Sequence, residues 1–262
     1  MYFVAKPNEE AKSFIQAAGL TDETQCRAIG TLVLDLKNYN LWDKMKAIYP
    51  MVGQPGVSSS FEFNLKDPNT FRGTFYGTWS FADTGATPDG ATGYMDTGLV
   101  PLNDISNAGN VHMSFYSRTN QASSATVEIG VLDAASSDSA ILAIKSNISG
   151  QQSRYDLRLF CLGGNINVAA PTDTLGFACS TKSNSNVVKG FFNNNLLGSI
   201  TVTNSLPNYK IVISARNISN SVQNFSSKEC AFASIGDGLT DTEAANFYTA
   251  VQRFQTTLGR QV

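Results

Sequence analysis

Histidine is almost missing from this chain: His112 is the only one in 262 residues. A multi-histidine metal centre is thereby excluded, and any Ser-His-Asp arrangement would have to use this one ring. Val111 and Met113 flank His112 in a strand-like alternation, which predicts that the imidazole lies on the polar face. No G-x-S-x-G elbow accompanies it, so no catalytic role is expected of it. Charge is scarce as well. Only 15% of residues are charged, 19 Lys and Arg stand against 21 Asp and Glu, and the net charge is -2 with no basic block. Phosphate binding needs clustered Lys and Arg, so no nucleic-acid partner is expected. No apolar run approaches the roughly 20 residues that span a bilayer. The opening Met1 to Glu10 stretch has no long apolar region of the secretion-signal kind. The reading is a protein made in the cytoplasm, with no membrane insertion. Cysteine is limited to Cys26, Cys161, Cys179 and Cys230, without C-x-x-C spacing. Zinc is not indicated, and free thiols are the expectation for that compartment.

Nucleotide chemistry has no foothold, because neither G-x-x-x-x-G-K-[ST] nor G-x-G-x-x-G occurs. Glycoside hydrolysis needs two carboxylates about 5 to 9 Å apart. Glu62, Glu128, Glu229 and Glu243 are scattered along the chain, and no E-x-D-x-x-E strand aligns a pair. The expectation is a non-enzymatic protein, with a glycan depolymerase as the least favoured alternative.

What is present is a change of period. Asn8 followed by Glu9 and Glu10 reads as a helix start, Phe14, Ile15 and Ala18 share one face, and Gly19 reads as the stop. Thr21 restarts a helix with the apolar stripe Ile29, Leu32, Val33 and Leu36. A third helix is predicted over Leu41 to Ile48, carrying Trp42, Met45 and Ile48 and ended by Pro50. From about Ser58 the apolar positions alternate instead. Phe61, Phe63 and Leu65, then Phe75, Trp79 and Phe81, then Val111, Met113 and Phe115, then Tyr155, Leu157 and Leu159 all follow period 2. Further strands are predicted at 126–132, 140–144, 187–192, 197–203, 211–215 and 231–235, separated by Ser, Asn, Gly and Asp clusters. This predicts an antiparallel β-sandwich. Asn193 to Asn195 reads as a tight hairpin turn. Three sequons, at Asn147, Asn217 and Asn224, read as ordinary turn chemistry. Thr240-Asp241-Thr242-Glu243 is a capping box opening a last helix whose stripe is Ala244, Phe247, Val251, Phe254 and Leu258, with Gly259 at its end. That stripe either packs on the sandwich or joins copies of the chain; packing is preferred, because five positions are short for a coiled coil.

The predicted division is a helical attachment segment over 1–57 and a sandwich over 58–262. Trp42, Met45 and Tyr49 are the candidate attachment residues, since aromatic and Met side chains are enriched at interfaces. The stretch Asp83 to Asp96 gathers three carboxylates, three glycines and a tyrosine. Asp83, Asp89, Tyr94 and Asp96 are the candidate ligand-binding residues. Calcium wants six to eight oxygens and is a possible occupant there. The alternative, a long turn in which Asp side chains make Asx-turns, is preferred. No other cofactor is expected. Trp79 and Trp42 could be sugar platforms, but their apolar registers favour burial.

Two family resemblances follow from particular stretches. Asn193 to Ser199, then Ile211-Val212-Ile213-Ser214-Ala215-Arg216-Asn217, then Cys230 to Tyr248 resemble, in this order, the hairpin, the following strand, and the final strand with its helix in laminin-G-like lectin domains. The resemblance runs from roughly Ser58 to Thr249. It implies a mainly β, concanavalin A-like β-sandwich (jelly roll) with N-terminal helices and a C-terminal helix. Separately, Phe14 to Thr21, Leu41 to Pro50 and Phe247 to Arg260 resemble the ends of structural proteins of tailed bacteriophages of the crAss-like type. That implies a virion surface protein with other virion proteins as partners. A homo-oligomer is expected. Two functions are weighed: an adhesin of tail fibre or baseplate that binds host surface glycan, and a purely architectural capsid decoration or head-fibre subunit.

Overall fold

A computed structural model of the chain describes residues 8–121, 125–146, 154–162, 164–169 and 174–262. The helices are α1 (Glu9–Ala17), α2 (Glu23–Asn38), the single turn α3 (Pro101–Asp104) and α4 (Asp241–Thr257). The strands are, in chain order, β1 (Met45–Tyr49), β2 (Thr74–Tyr76), β3 (Trp79–Ala82), β4 (Gly85–Pro88), β5 (Tyr94–Asp96), β6 (Val111–Ser117), β7 (Ile129–Leu132), β8 (Asp138–Ser146) and β9 (Arg154–Leu162). They continue with β10 (Ile166–Ala169), β11 (Gly176–Lys182), β12 (Val187–Phe192), β13 (Asn195–Thr201), β14 (Thr203–Asn204), β15 (Val212–Ile213), β16 (Arg216–Ile218), β17 (Ser221–Gln223) and β18 (Cys230–Gly236).

Two sheets form. The first has eight strands in the order β13-β12-β11-β6-β18-β4-β3, with β1 also bonded to β18. The second has ten, in the order β10-β9-β8-β7-β15-β5-β2, with β14, β16 and β17 attached beside that path. Pairing is antiparallel throughout the described residues except where Asn217 and Ile218 run parallel to Val131 and Leu132. The molecule is thus an antiparallel β-sandwich with helices at both ends of the chain, and among the described residues α3 is the one turn of α-helix between them.

The local rules that start and stop these elements are visible. Asn8 and Asp22 cap α1 and α2, accepting from the Ala11 and Gln25 amides at 3.0 and 2.8 Å. Thr240 and Glu243 close the capping box of α4 from both sides. Gly19 and Gly259, at φ 63° and 67°, end α1 and α4 in the left-handed region. Asn193 and Asn194, at φ 45° and 65°, make the two-residue turn between β12 and β13, as their tolerance of positive φ predicts.

Packing is in three layers. Between the sheets lies a core that includes Met95, Met113, Phe115, Ile129, Leu157 and Ile213. Between the first sheet and the helices lies a second, with Leu32, Leu36, Trp42, Phe232, Phe247 and Phe254. The first sheet is therefore buried on both faces, and all seven residues of β6, of β11 and of β18 are buried.

Three sequence expectations are corrected by this layering. The stretch Leu41 to Ile48 is not a helix: a 3-10 turn at Trp42–Lys44 leads into strand β1. A β-bulge between Met45 and Ala47 puts Met45 and Ile48 on the helix-facing side and leaves Ala47 and Tyr49 facing the other sheet. An extra residue in a strand thus reproduces a helical spacing of three. Phe61 to Leu65 is not a strand either. It is a loop whose Asn64 side chain, fully buried, serves as pairing partner for β1: it accepts from the Ile48 amide at 2.8 Å and donates to the Lys46 carbonyl at 3.0 Å. His112 is not on a solvated face. It is fully buried, with its ring against Phe247 of α4 at 5.6 Å.

Trp42, Met45 and Tyr49, read as attachment residues, are 7%, 2% and 0% exposed and belong to the chain's own cores. Lys66 sits 4.6 Å over the Trp42 ring, and the Tyr49 hydroxyl donates to the Phe71 carbonyl at 2.6 Å. The division at 57/58 does not mark a break in packing, since β1 pairs with β18 from Met45–Gly236 to Tyr49–Ala233.

Candidate ligand-binding face

The stretch from Thr74 to Asp96 crosses between the sheets twice. β2 is an edge strand of the second sheet, β3 and β4 are the matching edge of the first, and β5 returns to pair with β2. Gly77, at φ 70°, makes the first crossing, and a Cβ there would collide with the Thr92 carbonyl. Inside this rim Phe61, Phe75, Trp79 and Phe81 close the gap between the sheets, with ring centroids 4.9 to 6.2 Å apart. Trp79 is half-buried in that cluster and donates its indole N–H to the Tyr76 carbonyl at 2.9 Å, so its face is committed inward.

The outward side of the same rim carries a different pair. Tyr76 and Tyr94 are direct cross-strand partners on β2 and β5, stacked at 4.8 Å with their planes 10° apart. Tyr76 is 45% exposed, and Phe225 stands 6.3 Å from Tyr94 at a tilt. Beside them Asp96 accepts from Lys210 at 2.9 Å and from the Gly98 amide at 2.8 Å. The Asp96 carboxylate holds the Lys210 ammonium above its ordinary pKa. Burial, with the Tyr76 and Asp96 neighbours, raises the Tyr94 phenol, which is therefore neutral at physiological pH. The arrangement is an aromatic surface with the Lys210 cation and the Thr74 hydroxyl at its border. Such a surface can stack against the apolar face of a ring while its edge groups take hydrogen bonds.

Of the four residues singled out in the sequence, the structure brings Tyr94 and Asp96 onto one face. Asp89 turns away into its own loop: its carboxylate accepts from the Ala91, Thr92 and Gly93 amides and the Thr92 hydroxyl at 2.6 to 2.9 Å. The Thr92 hydroxyl first, then those amides, lower its pKa well below the carboxylate range. This is the Asx-turn, which the residue order alone suggested. Asp83 lies elsewhere, on a cleft of about 440 Å³ with Leu20, Thr21, Gln25, Gly53 and Gln54. The three aspartates do not converge, and among the described residues no three His, Cys, Asp or Glu side chains assemble a metal site. Tyr76 and Lys210 were missed in the sequence. Tyr76 is next to Gly77 in an apolar stretch and only cross-strand pairing reveals it; Lys210 follows a turn more than a hundred residues away.

The scattered glutamates each have their own cation. Glu62 pairs with Arg72, Glu128 with Lys228, Glu229 with Arg118 and Glu243 with Lys44, at 2.7 to 3.0 Å. His112 is held by the Asp237 carbonyl at 2.6 Å and the Ser234 hydroxyl at 3.0 Å, and burial pushes its pKa down to about 4. All four cysteines are free thiols, three of them buried. Of the sequons, Asn217 is buried, Asn224 is half-buried with its amide on the Ala125 carbonyl, and Asn147 lies outside the described residues. Among the described residues no helix is long and apolar enough to cross a membrane.

No protein-family model matches the sequence, and neither does any curated protein sequence. Solved structures do match in shape. A Trypanosoma rangeli sialidase in complex with 2,3-difluorosialic acid superposes with a TM-score of 0.56 at 9% identity, over 87% of this chain and 39% of the sialidase chain. Domain 4 of AbnA, an extracellular arabinanase from Geobacillus stearothermophilus, gives 0.44 at 14% identity, over 78% of this chain and 98% of that domain. The binding domain of botulinum neurotoxin serotype D gives 0.47 at 10%, over 79% and 52%. The sialidase match shows a shared β-sandwich fold, and this chain spans well under half of that enzyme.

Proposed function

We propose that this chain is a non-catalytic surface subunit of a tailed-phage virion that holds host glycans on the outer face of its second sheet. The observation that carries the glycan reading is the stacked Tyr76–Tyr94 pair, open to solvent beside the Asp96–Lys210 ion pair. Buried aromatics are ordinary, whereas an exposed, paired aromatic surface at a sheet edge is a place for a flat, partly apolar ligand. The virion assignment rests on the resemblance of Phe14 to Thr21, Leu41 to Pro50 and Phe247 to Arg260 to phage structural proteins. The non-catalytic reading is supported by the separate cation held by each of the four scattered glutamates and by the burial of His112. Partners of this subunit are other virion proteins, in a homo-oligomeric form.

The test is a glycan array read with the full chain and with Tyr76→Ala and Tyr94→Ala. Binding that disappears in both variants while the fold is kept supports the proposal. A folded chain that binds no glycan favours the architectural reading, and release of reducing sugar from host capsule favours a depolymerase. Imaging of virions with a labelled antibody tests the location.

A further inference from the structure

The outer face of the second sheet continues past Asp96. Cross-strand pairing sets Asp96, Val212, Gly130, Ile141 and Arg158 in one row over β5, β15, β7, β8 and β9. Gly130 is the gap in that row. A Cβ there would stand 2.8 Å from a Val127 methyl and 3.1 Å from Cβ and Cγ of Arg216, so the missing side chain lets Arg216 lie across the sheet. The local charges do not balance. Asp156, 2% exposed, accepts from Nε and Nη2 of Arg158 at 3.2 Å each and from Asn165 at 3.0 Å. Arg158 and Asn165 thus both donate to this one carboxylate. Arg216 is left with its Nε buried and without an acceptor, although the residue as a whole stays partly open to solvent. Leaving a buried N–H of a cation without a partner is more costly than leaving a neutral one so. Burial, and then the neighbouring Arg158, lower the Arg216 pKa, and the Asp156 carboxylate opposes them only in part.

We propose that Arg216, with Arg158 beside it, is the subsite for a carboxylate on the glycan, so that the ligand class is acidic sugars such as uronic or sialic acids. The inference deepens the glycan reading and rests on it. A planar guanidinium donates two parallel N–H bonds to a planar carboxylate, a match that neutral hydroxyls do not give. The position fits one continuous ligand. Arg216 lies over β7, two strands from the Tyr94 strand, which is about 10 Å at the usual strand spacing. One sugar ring on the tyrosines then leaves a linked acidic ring within reach of the arginine.

Two acid sugars, trigalacturonate and sialyllactose, can each be compared with an uncharged counterpart, its own methyl ester. The full chain, labelled with 15N at arginine, is titrated with all four. The expected result is at least about tenfold tighter binding of each acid, a difference of about 1.4 kcal/mol. The Arg216 Nε–H resonance should move with the acids and stay still with the neutral sugars. Arg216→Gln should remove the acid preference and leave neutral binding unchanged, with Arg216→Lys in between because it keeps the charge and loses the fork. Tyr94→Ala should weaken acids and neutral sugars together. Equal binding of acid and neutral forms, or an acid preference that survives Arg216→Gln, overturns the carboxylate subsite and leaves the aromatic platform standing. Acid binding that moves Arg216 but is indifferent to Tyr94→Ala overturns the platform instead. Absence of binding by all four, with a still Arg216 resonance at millimolar sugar, overturns both.

Discussion

The two sheets are both antiparallel but for one short parallel pair, and their surroundings are opposite. The outer face of the first is roofed by α2 and α4, so that even His112, Ser114 and Ser234, on β6 and β18, are fully buried. The outer face of the second is a patchwork: Tyr76 and Lys210 are exposed, while Glu128 and Lys228 form an ion pair at 0% and 1% exposure. A sheet covered on both sides is a device for stability. A sheet whose outer side is covered only in part, carrying an exposed tyrosine pair and Arg216 with an unpartnered Nε, is a surface available for recognition.

The strongest way to break the comparison is to remove the roof. A chain beginning at Ser58 lacks α1, α2 and β1, hence the strand bonded to β18 and the cover over Tyr116, Phe177 and Phe232. It is expected not to fold, read as loss of the near-ultraviolet circular dichroism signal and of a cooperative melt. A soluble, cooperatively melting fragment would mean that the helices are an accessory. A smaller cut at the same place is Phe247→Ala. Phe247 is fully buried and meets Phe177, Phe232 and His112 at 5.4 to 6.0 Å. The expected loss is about 3 to 5 kcal/mol by urea denaturation, and a loss below about 1 kcal/mol would contradict the roof.

How legible this was depends on whether one residue or two distant segments decide the feature. Caps and turns are local: Asn8, Thr240 with Glu243, Gly19, and Asn193-Asn194 all act as their neighbours in sequence predict. The period-2 reading was also sufficient for the sandwich. Alternation failed where both faces are covered, because it assumes that one face meets water. His112 between Val111 and Met113 looks like a solvated position and is a buried one, since α4 begins only at Asp241 and is invisible to a strand-length window. The Met45–Ile48 spacing failed for the opposite reason, a bulge imitating a helix. Two of the five residues of the candidate face were legible. Tyr94 and Asp96 belong to it, while Tyr76, Lys210 and Arg216 enter through strand pairing, which no local pattern encodes.

Acid should act on the roofed sheet. The folded chain keeps His112 neutral to about 4, while its ordinary value is 6.5. As pH falls below 6.5 the unfolded chain takes up the proton and the folded one does not, so stability is lost from there down to about pH 4. The difference amounts to about 3 kcal/mol. Urea midpoints from pH 7 to 4 should fall more steeply for the natural chain than for His112→Asn. Should that variant fail to fold, the His112 Cε1–H resonance gives the same answer: it should not titrate between pH 7 and 5.

The smallest effect is expected on the open face. Tyr76 is 45% exposed, and among the described residues its ring partner is Tyr94. Removing it forfeits a stacked aromatic pair, worth about 0.5 to 1.5 kcal/mol, and part of that is regained because exposed apolar surface is also removed. The backbone pairing of β2 with β5 is untouched, since Thr74, Phe75 and Tyr76 bond through their main chain. Phe75, on the inward side of the same strand, holds the rim through Trp79 and Phe81 at 4.9 Å. Tyr76→Ala should therefore lower stability by no more than about 1 kcal/mol, whereas Phe75→Ala, two faces of one strand apart, should cost about 3 kcal/mol. Denaturation of the two variants side by side decides whether inward and outward positions of this strand divide stability from recognition. A Tyr76→Ala loss as large as that of Phe75→Ala would make the tyrosine pair a structural clasp of the rim, and the case for it as a ligand platform would go with it.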